Sequence, residues 1–179
     1  VYGIVCAGNS SGTTQLNSDN VITGCNIYNY NSASNTYGIY LLTGTGSNWL
    51  IQNNSFYNTS PIAATLWHAV YINNISSGDN SVQNNYIGGT LPNCGGSALS
   101  GTMRTLYGVY LRLNSTSVNN NISGNTIKNI NVTKNSNNTT TNVYDGIIGF
   151  HSSKCSININ NNVMGDTISN DNINITASS

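Results

Sequence analysis

One nine-residue block occurs five times in this chain, and this repetition constrains the fold more than any other feature. The second and seventh positions of the block are apolar in every copy, and the fourth is always Gly or Asn. The copies occupy residues 21–29, 50–58, 81–89, 121–129 and 158–166; their second positions are Ile22, Ile51, Val82, Ile122 and Ile159, and their seventh positions are Ile27, Phe56, Ile87, Ile127 and Met164. Because a block this short cannot bury its own apolar face, the copies must pack on one another.

A second block alternates with the first along the chain. It reads Tyr-Gly-Ile-Tyr-Leu at 37–41, and its other copies occupy residues 2–6, 68–72, 107–111 and 145–149. Simple strand alternation predicts that Tyr37, Ile39 and Leu41 share one face, while Gly38 and Tyr40 share the other. The order of the two blocks is constant, although the connections differ in length through insertions at 30–36, 59–67, 90–106 and 130–143. This pattern predicts an all-β solenoid of about five coils with variable loop insertions.

The middle of the nine-residue block predicts a bend lined by amides. Gly and Asn both tolerate the left-handed backbone conformation that a tight bend needs. The fifth position, next to the bend, holds Cys25, Asn54, Asn85, Asn125 and Asn162. Asn side chains at the same bend of successive coils can hydrogen-bond to the coils above and below. We therefore expect a structural asparagine ladder through Asn54, Asn85, Asn125 and Asn162.

The blocks resemble the repeats of right-handed parallel β-helices in the pectin-lyase-like superfamily. The resemblance rests on the pattern x-Ile-x-Asn-Asn-x-Ile-x-Asn and covers residues 1 to about 175. The Asn-, Ser- and Thr-rich composition narrows it to the β-helical regions of very large microbial surface and adhesin proteins. It implies one β-helix segment over 1–179. Since Val1 begins a strand and residues 172–176 read as another, we expect this segment to belong to a longer β-helix or to stack end to end on identical subunits.

Composition excludes several other classes of protein. The chain contains five acidic residues, all Asp, and five basic residues that are scattered along it. Nucleic-acid binding needs clustered Lys and Arg, so we expect none. No apolar run approaches the roughly 20 residues of a membrane helix, so no membrane insertion is expected. Disorder is also disfavoured, because 37% of the residues are hydrophobic and eleven are Tyr.

The sequence offers no recognisable catalytic or metal site. Asp19 and Asp79 occupy equivalent positions three residues before the block's apolar residue, with Asn48 between them, which is typical of a turn ladder. The Ca²⁺-binding acids and the base of the superfamily's lyases have no counterpart here. His68 takes the place of Tyr in its column, which indicates aromatic stacking, and His151 stands alone. We therefore expect no cofactor, no metal and no catalysis in this portion.

Four cysteines leave two interpretations open. Cys6, Cys25, Cys94 and Cys155 include no Cys-x-x-Cys pair, so a zinc site is not indicated. They are either free thiols or partners in disulfides of an oxidising compartment.

Three tyrosines provide a candidate binding surface. Tyr40, Tyr71 and Tyr110 occupy the same position in successive coils. A strip of exposed aromatic rings offers flat faces to sugars, while the hydroxyl groups supply hydrogen bonds. The alternative is that the insertions fold back over the strip and bury it.

The resulting hypothesis is a structural or adhesive segment of an extracellular or cell-surface protein or fibre. The expected partners are neighbouring β-helix coils or identical subunits stacked end to end. A polysaccharide-binding module that uses the Tyr strip is the first alternative. A part of a polysaccharide lyase or hydrolase whose catalytic coils lie elsewhere is the second.

Overall fold

The computed structural model describes residues 1–8, 17–74, 78–113, 119–134, 144–151, 156–165 and 173–177. These residues form 17 β-strands in three parallel sheets and no helix. The expected all-β class and the parallel stacking of the repeats are thus confirmed. No helix among the described residues is long and apolar enough to cross a bilayer.

The chain visits the three sheets in the order A, B, C, except that β13 and β14 both belong to sheet A, where each pairs with β10. Sheet A contains β1 (Tyr2–Cys6), β4 (Thr36–Leu41), β7 (Ile62–Asn74), β10 (Leu99–Leu113), β13 (Ile130–Lys134), β14 (Tyr144–His151) and β17 (Ile173–Ala177). Sheet B contains β2 (Val21–Thr23), β5 (Leu50–Gln52), β8 (Ser81–Gln83), β11 (Asn119–Ser123) and β15 (Ser156–Asn160). Sheet C contains β3 (Asn26–Tyr28), β6 (Ser55–Tyr57), β9 (Tyr86–Ile87), β12 (Thr126–Ile127) and β16 (Val163–Met164).

The nine-residue blocks form sheets B and C in the register that the sequence predicts. Neighbouring strands align the second positions, so that Ile51 pairs with Ile22 and with Val82. They also align the seventh positions, where Phe56 pairs with Ile27 and with Ile87. The inner repeats bury these side chains completely or almost completely. The core is therefore built from stacked columns of equivalent apolar residues.

The bend between sheets B and C lies at the fourth position of the block, as predicted. All five residues there have a left-handed backbone, with φ between 53° and 66°: Gly24, Asn53, Asn84, Gly124 and Asn161. An ordinary side chain at this position would be strained, which accounts for the restriction to Gly and Asn.

Sheet A departs from the predicted alternation. Gly38 and Ile39 are both buried, whereas Tyr37 and Tyr40 are both partly exposed. Tyr37 therefore lies outside with Tyr40, and its predicted place on the face of Ile39 is wrong. The reason is a break in the alternation at Gly38 within the continuous strand β4, where a Cβ would lie 2.5 Å from the carbonyl oxygen of Ala69 and 2.7 Å from Phe56 Cδ1. The small residue lets the backbone approach the core and turns both tyrosines outward.

The described parts of the insertions lengthen sheet A and cover sheet C. Residues 62–67 and 99–106 extend β7 and β10 toward their N-terminal ends. The turn that precedes β10 packs on sheet C, where Asn93 hydrogen-bonds with Ser55 and the thiol of Cys94 donates to Thr126 O. Tyr40, Tyr71 and Tyr110 of the Tyr strip remain partly exposed. The remainder of the 130–143 insertion, residues 135–143, lies outside the described residues.

Candidate functional site

An unbroken set of hydrogen bonds joins the four Asn residues at the fifth position of the block. The side-chain oxygen of Asn85 accepts from both the main-chain N–H and the Nδ2 of Asn54, each at 3.0 Å. Asn125 accepts from Asn85 in the same way, at 3.0 and 2.9 Å. Asn162 accepts from Asn125, again at 3.0 and 2.9 Å. We refer to this set as the asparagine ladder.

The second Nδ2 proton of each ladder residue is also used. Asn85 donates it to Ile51 O at 3.0 Å, and Asn125 donates it to Val82 O at 2.9 Å. Asn54, Asn85 and Asn125 are fully buried. A buried amide without partners costs about 1–3 kcal/mol for each lost bond, so these amides are stable inside only because the neighbouring repeats complete them.

The hydrogen bonds of the ladder all run in one direction along the chain, and different residues stand at its two ends. In each inner repeat the ladder residue donates its main-chain N–H to the Asn of the following repeat. The first repeat has Cys25 at this position, and its main-chain N–H donates to Asn54 Oδ1 at 3.0 Å. The Cys25 thiol donates to Thr23 O at 3.4 Å and offers no amide. At the other end stands Asn162, with a side chain that is partly exposed.

Two further groups of Asn residues stabilise the turns, and the sequence analysis did not single them out. Buried Asn80 donates its main-chain N–H to Asn120 Oδ1 at 3.1 Å. Buried Asn129 donates from Nδ2 to the carbonyl oxygens of Cys94, Gly96 and Ser97 and so fixes the turn on sheet C. The signal that could have revealed them is the recurrence of Asn one residue before the block and at its ninth position.

The Asp residues with equivalent positions belong to turns. Asp19, Asn48 and Asp79 all have a left-handed backbone, with φ between 57° and 61°. Asn48 Nδ2 donates to Asp19 Oδ1 at 2.9 Å, and Asn119 N–H donates to Asp79 Oδ1 at 2.9 Å. The carboxylates thus hydrogen-bond to the neighbouring repeat, in agreement with the turn-ladder interpretation.

Seven rings form a continuous cluster on the outer face of sheet A, which we call the aromatic patch. It consists of two adjacent columns: Tyr2, Tyr37, His68 and Tyr107 in one, and Tyr40, Tyr71 and Tyr110 in the other. Because the alternation is interrupted at Gly38, the two columns lie side by side. The ring centroids of Tyr37 and Tyr40 are only 4.4 Å apart. The sequence analysis identified one column as a surface and missed its union with the other.

Most rings of the patch stack face to face along the direction of the repeats. Tyr37 and Tyr107 cover the two faces of His68, at centroid distances of 4.7 and 4.6 Å. Tyr40 stacks on Tyr71 at 5.1 Å, with planes 14° apart. The inner rings therefore use their faces for one another and present their edges outward.

Tyr110 departs from this alignment. Its plane is 76° from that of Tyr71 and 86° from that of Tyr107. In the next strand, Tyr110 pairs with Ile148 and Tyr107 pairs with Asp145, so no further ring continues the stack. The patch ends at this repeat.

Burial keeps four hydroxyl groups of the patch protonated at physiological pH, those of Tyr37, Tyr40, Tyr71 and Tyr110. Burial raises the pKa of Tyr71 to about 12, although nearby Arg112 opposes the rise. Burial also raises the pKa of Tyr37 and of Tyr40, and hydrogen bonds with Asn35 and Asn73 offset only part of the effect. These four tyrosines thus contribute rings and neutral hydroxyls to the surface of the patch.

His68 is the most buried member of the patch, with 3% of its surface exposed. Its Nδ1 lies 3.3 Å from Thr36 O, and because a carbonyl can only accept, Nδ1 carries the proton. Burial lowers the pKa of His68 to about 4, and the bond to Thr36 opposes the shift only in part. Its predicted place in an aromatic stack is confirmed.

The other candidate residues do not converge on a site. The described residues contain no group of three or more His, Cys, Asp or Glu placed to hold a metal ion. Cys6 and Cys25 are free thiols, the thiol of Cys94 donates to Thr126 O, and Cys155 lies outside the described residues. His151 lies in β14, where it pairs with Leu113 of β10.

Comparison of the chain with models of known protein families, with curated proteins and with solved structures found no match.

The buried neutral imidazole makes stability depend on pH. An exposed His in the unfolded chain has a pKa near 6.5. Between pH 6.5 and 4 the unfolded state therefore binds more protons than the folded state, and stability falls as the pH falls. We expect urea denaturation to record a loss on the order of 3 kcal/mol across this window, at about 1.4 kcal/mol per pH unit.

His68→Phe is the matched control, since it keeps a ring between Tyr37 and Tyr107 but cannot titrate. Its stability should vary less between pH 7 and pH 4 than that of the wild type. Equal losses in the two proteins would contradict the assignment of this dependence to His68.

Proposed function

We propose that this chain is a right-handed parallel β-helix segment with a structural or adhesive role in an extracellular surface protein or fibre. The observation that carries the proposal is the asparagine ladder, which connects successive repeats through buried hydrogen bonds from Asn54 to Asn162. A chain organised in this way resists separation of its repeats rather than opening around a substrate.

The mechanical role follows from how the repeats are joined. Each repeat is linked to the next by main-chain bonds in three sheets, by apolar columns and by the ladder. At about 4.8 Å per repeat, five repeats rise roughly 20 Å. Separating two repeats would break all three kinds of contact together, so the stack behaves as one stiff element. Its partners would be further coils or subunits stacked on its ends.

The right-handed coil and the assignment to the pectin-lyase-like superfamily are parts of the same proposal. A connection between parallel strands of one sheet is right-handed in nearly all proteins, which favours a right-handed coil. The resemblance of the blocks to repeats of the pectin-lyase-like superfamily agrees with this assignment. The surface location is supported by a composition with 6% charged residues and abundant Asn, Ser and Thr, as in the β-helical regions of microbial surface proteins.

Immunogold electron microscopy of intact, unpermeabilised cells that produce the protein tests the proposed location and role. An antibody against the whole chain should label the cell surface or fibres that extend from it. Pre-immune serum and permeabilised cells are the controls. Label that appears only after permeabilisation would contradict the proposal.

We propose polysaccharide binding as a second candidate function, and the aromatic patch favours it. The patch joins seven rings on one outer face, and Tyr40, Tyr71 and Tyr110 are each partly exposed. The described parts of the later insertions extend sheet A or pack on sheet C, whereas Asn35 of the 30–36 insertion hydrogen-bonds with Tyr37. Because the inner rings stack on one another, a glycan would contact ring edges and neutral hydroxyls along the columns, with Tyr110 as the ring of different orientation.

Retention on insoluble neutral polysaccharides tests this second function. Tyr71→Ala removes a central ring that stacks on Tyr40 in its own column and on His68 in the other, and we expect it to weaken retention at least about tenfold, the equivalent of 1.4 kcal/mol. Tyr28→Ala is the matched control, since Tyr28 is an exposed, stacked tyrosine of sheet C outside the patch. Equal retention of both variants and the wild type, with the fold verified by circular dichroism, would refute a role of the patch.

A further inference from the structure

Two tyrosines of the aromatic patch stack face to face across neighbouring repeats. Tyr40 of β4 pairs in register with Tyr71 of β7, and their ring planes are 14° apart with centroids separated by 5.1 Å. Both side chains are partly exposed. Tyr37 and Tyr2 continue the stack, at centroid distances of 4.4 and 5.6 Å from Tyr40. Phenols from different repeats therefore lie against one another on the outer face of sheet A.

This arrangement suits the oxidative coupling of phenols. A phenol that loses one electron and one proton becomes a phenoxyl radical, whose unpaired electron occupies p orbitals perpendicular to the ring, at the oxygen and at the ortho and para carbons. Two radicals can bond through these orbitals when their rings are stacked. Because the fold holds Tyr40 and Tyr71 stacked, the reaction carries no further cost of orientation. Burial raises the pKa of both hydroxyl groups, so each ring starts as a neutral phenol.

The other end of the patch lacks this geometry between phenols. Tyr110 meets Tyr71 at 76° and Tyr107 at 86°, so the p orbitals of these rings are nearly perpendicular. His68 lies between Tyr37 and Tyr107, and Tyr107 therefore stacks on an imidazole. Coupling between repeats is thus favoured at Tyr71 toward Tyr40 and disfavoured toward Tyr110.

A second stacked pair lies on sheet C. The centroids of Tyr28 and Tyr57 are 4.9 Å apart, with planes at 4°. Tyr57 is only 7% exposed, however, whereas both phenols of the sheet A pair reach the surface, where an oxidant can take electrons and water can take the protons. The reaction is therefore assigned to sheet A.

We propose that the outer face of sheet A is an oxidative cross-linking site, at which a haem peroxidase and hydrogen peroxide join Tyr40 to Tyr71 as dityrosine. The peroxidase takes one electron and one proton from each phenol and reduces one hydrogen peroxide to two molecules of water. The two phenoxyl radicals pair their electrons in a C–C bond between ortho carbons. Each bonded carbon then releases its hydrogen as a proton while the ring oxygen takes one up, which restores both phenols.

The product is a covalent link between neighbouring repeats, added to their hydrogen bonds and apolar contacts. It closes a loop from residue 40 to residue 71, which restricts the unfolded chain as a disulfide does and so stabilises the folded stack. The inference goes beyond the proposed functions, because it depends on the geometry of the rings and not on the location of the protein or on a glycan.

Treatment of the whole chain with a haem peroxidase and hydrogen peroxide tests the inference, at a protein concentration low enough to disfavour coupling between chains. Dityrosine fluorescence should appear while the chain remains monomeric on a denaturing gel. Chymotrypsin can cleave at Trp49 and Phe56, between the two tyrosines. Mass spectrometry of the digest should find the peptide of Tyr40 joined to that of Tyr71, with the loss of two hydrogen atoms. The midpoint of urea denaturation should rise after treatment.

Two conservative variants separate this pair from the other tyrosines. Tyr71→Phe keeps the ring and removes the phenol, so the product should be lost, together with the treatment-induced rise of the urea midpoint. Tyr110→Phe is the matched control, because it removes a phenol that contacts Tyr71 at a steep angle, and the product should form as in the wild type. Circular dichroism verifies the fold of both variants.

Three outcomes would overturn the inference. They are absence of the product from the treated wild type, coupling only between separate chains, and coupling of Tyr71 to Tyr110 as abundant as its coupling to Tyr40. The wild-type measurement alone decides the first two, so the inference stays testable if a variant fails to fold. None of these outcomes bears on the cell-surface labelling or on polysaccharide retention.

Discussion

The rest of this structure depends on the requirement that a buried amide must have all its hydrogen bonds. Asn85 satisfies this requirement only when the repeats on both sides stand in register, because its partners are Asn54, Asn125 and the carbonyl of Ile51. A shift of one residue would leave the amide unpaired inside the core and would also misplace the apolar columns. The ladder thus fixes the register, and the register stacks Ile51 on Val82 and Phe56 on Ile87.

The sequence predicts sheets B and C almost completely, because short blocks of constant length leave little freedom. The left-handed bend could be placed at Gly24 and Asn53 since only Gly and Asn occupy that position. Sheet A could not be predicted to the same extent. Alternation is a local rule, whereas the break at Gly38 arises from the close approach of its backbone to Phe56 and Ala69 in other strands. That contact between distant residues decides where Tyr37 points.

The same break explains why the candidate surface is larger than the sequence indicates. A regular strand would have separated Tyr37 and Tyr40 onto opposite faces, and His68 would have been buried among aliphatic side chains. Instead, two columns meet outside the sheet, and the rings of the patch bury His68 between them. The hydrogen-bonded ladder and the aromatic surface on one side are both compatible with the structural or adhesive role that we propose.

Native-state hydrogen exchange measured by NMR tests the ladder most directly. The main-chain amides of Asn54, Asn85 and Asn125 belong to fully buried residues and donate to side-chain oxygens of the ladder, so they should exchange only through global unfolding, as slowly as the amides at the centre of sheet B. The amide of Ser34 lies in an exposed turn and provides the fast reference. Exchange of the three ladder amides at a rate close to that of Ser34 would contradict the account.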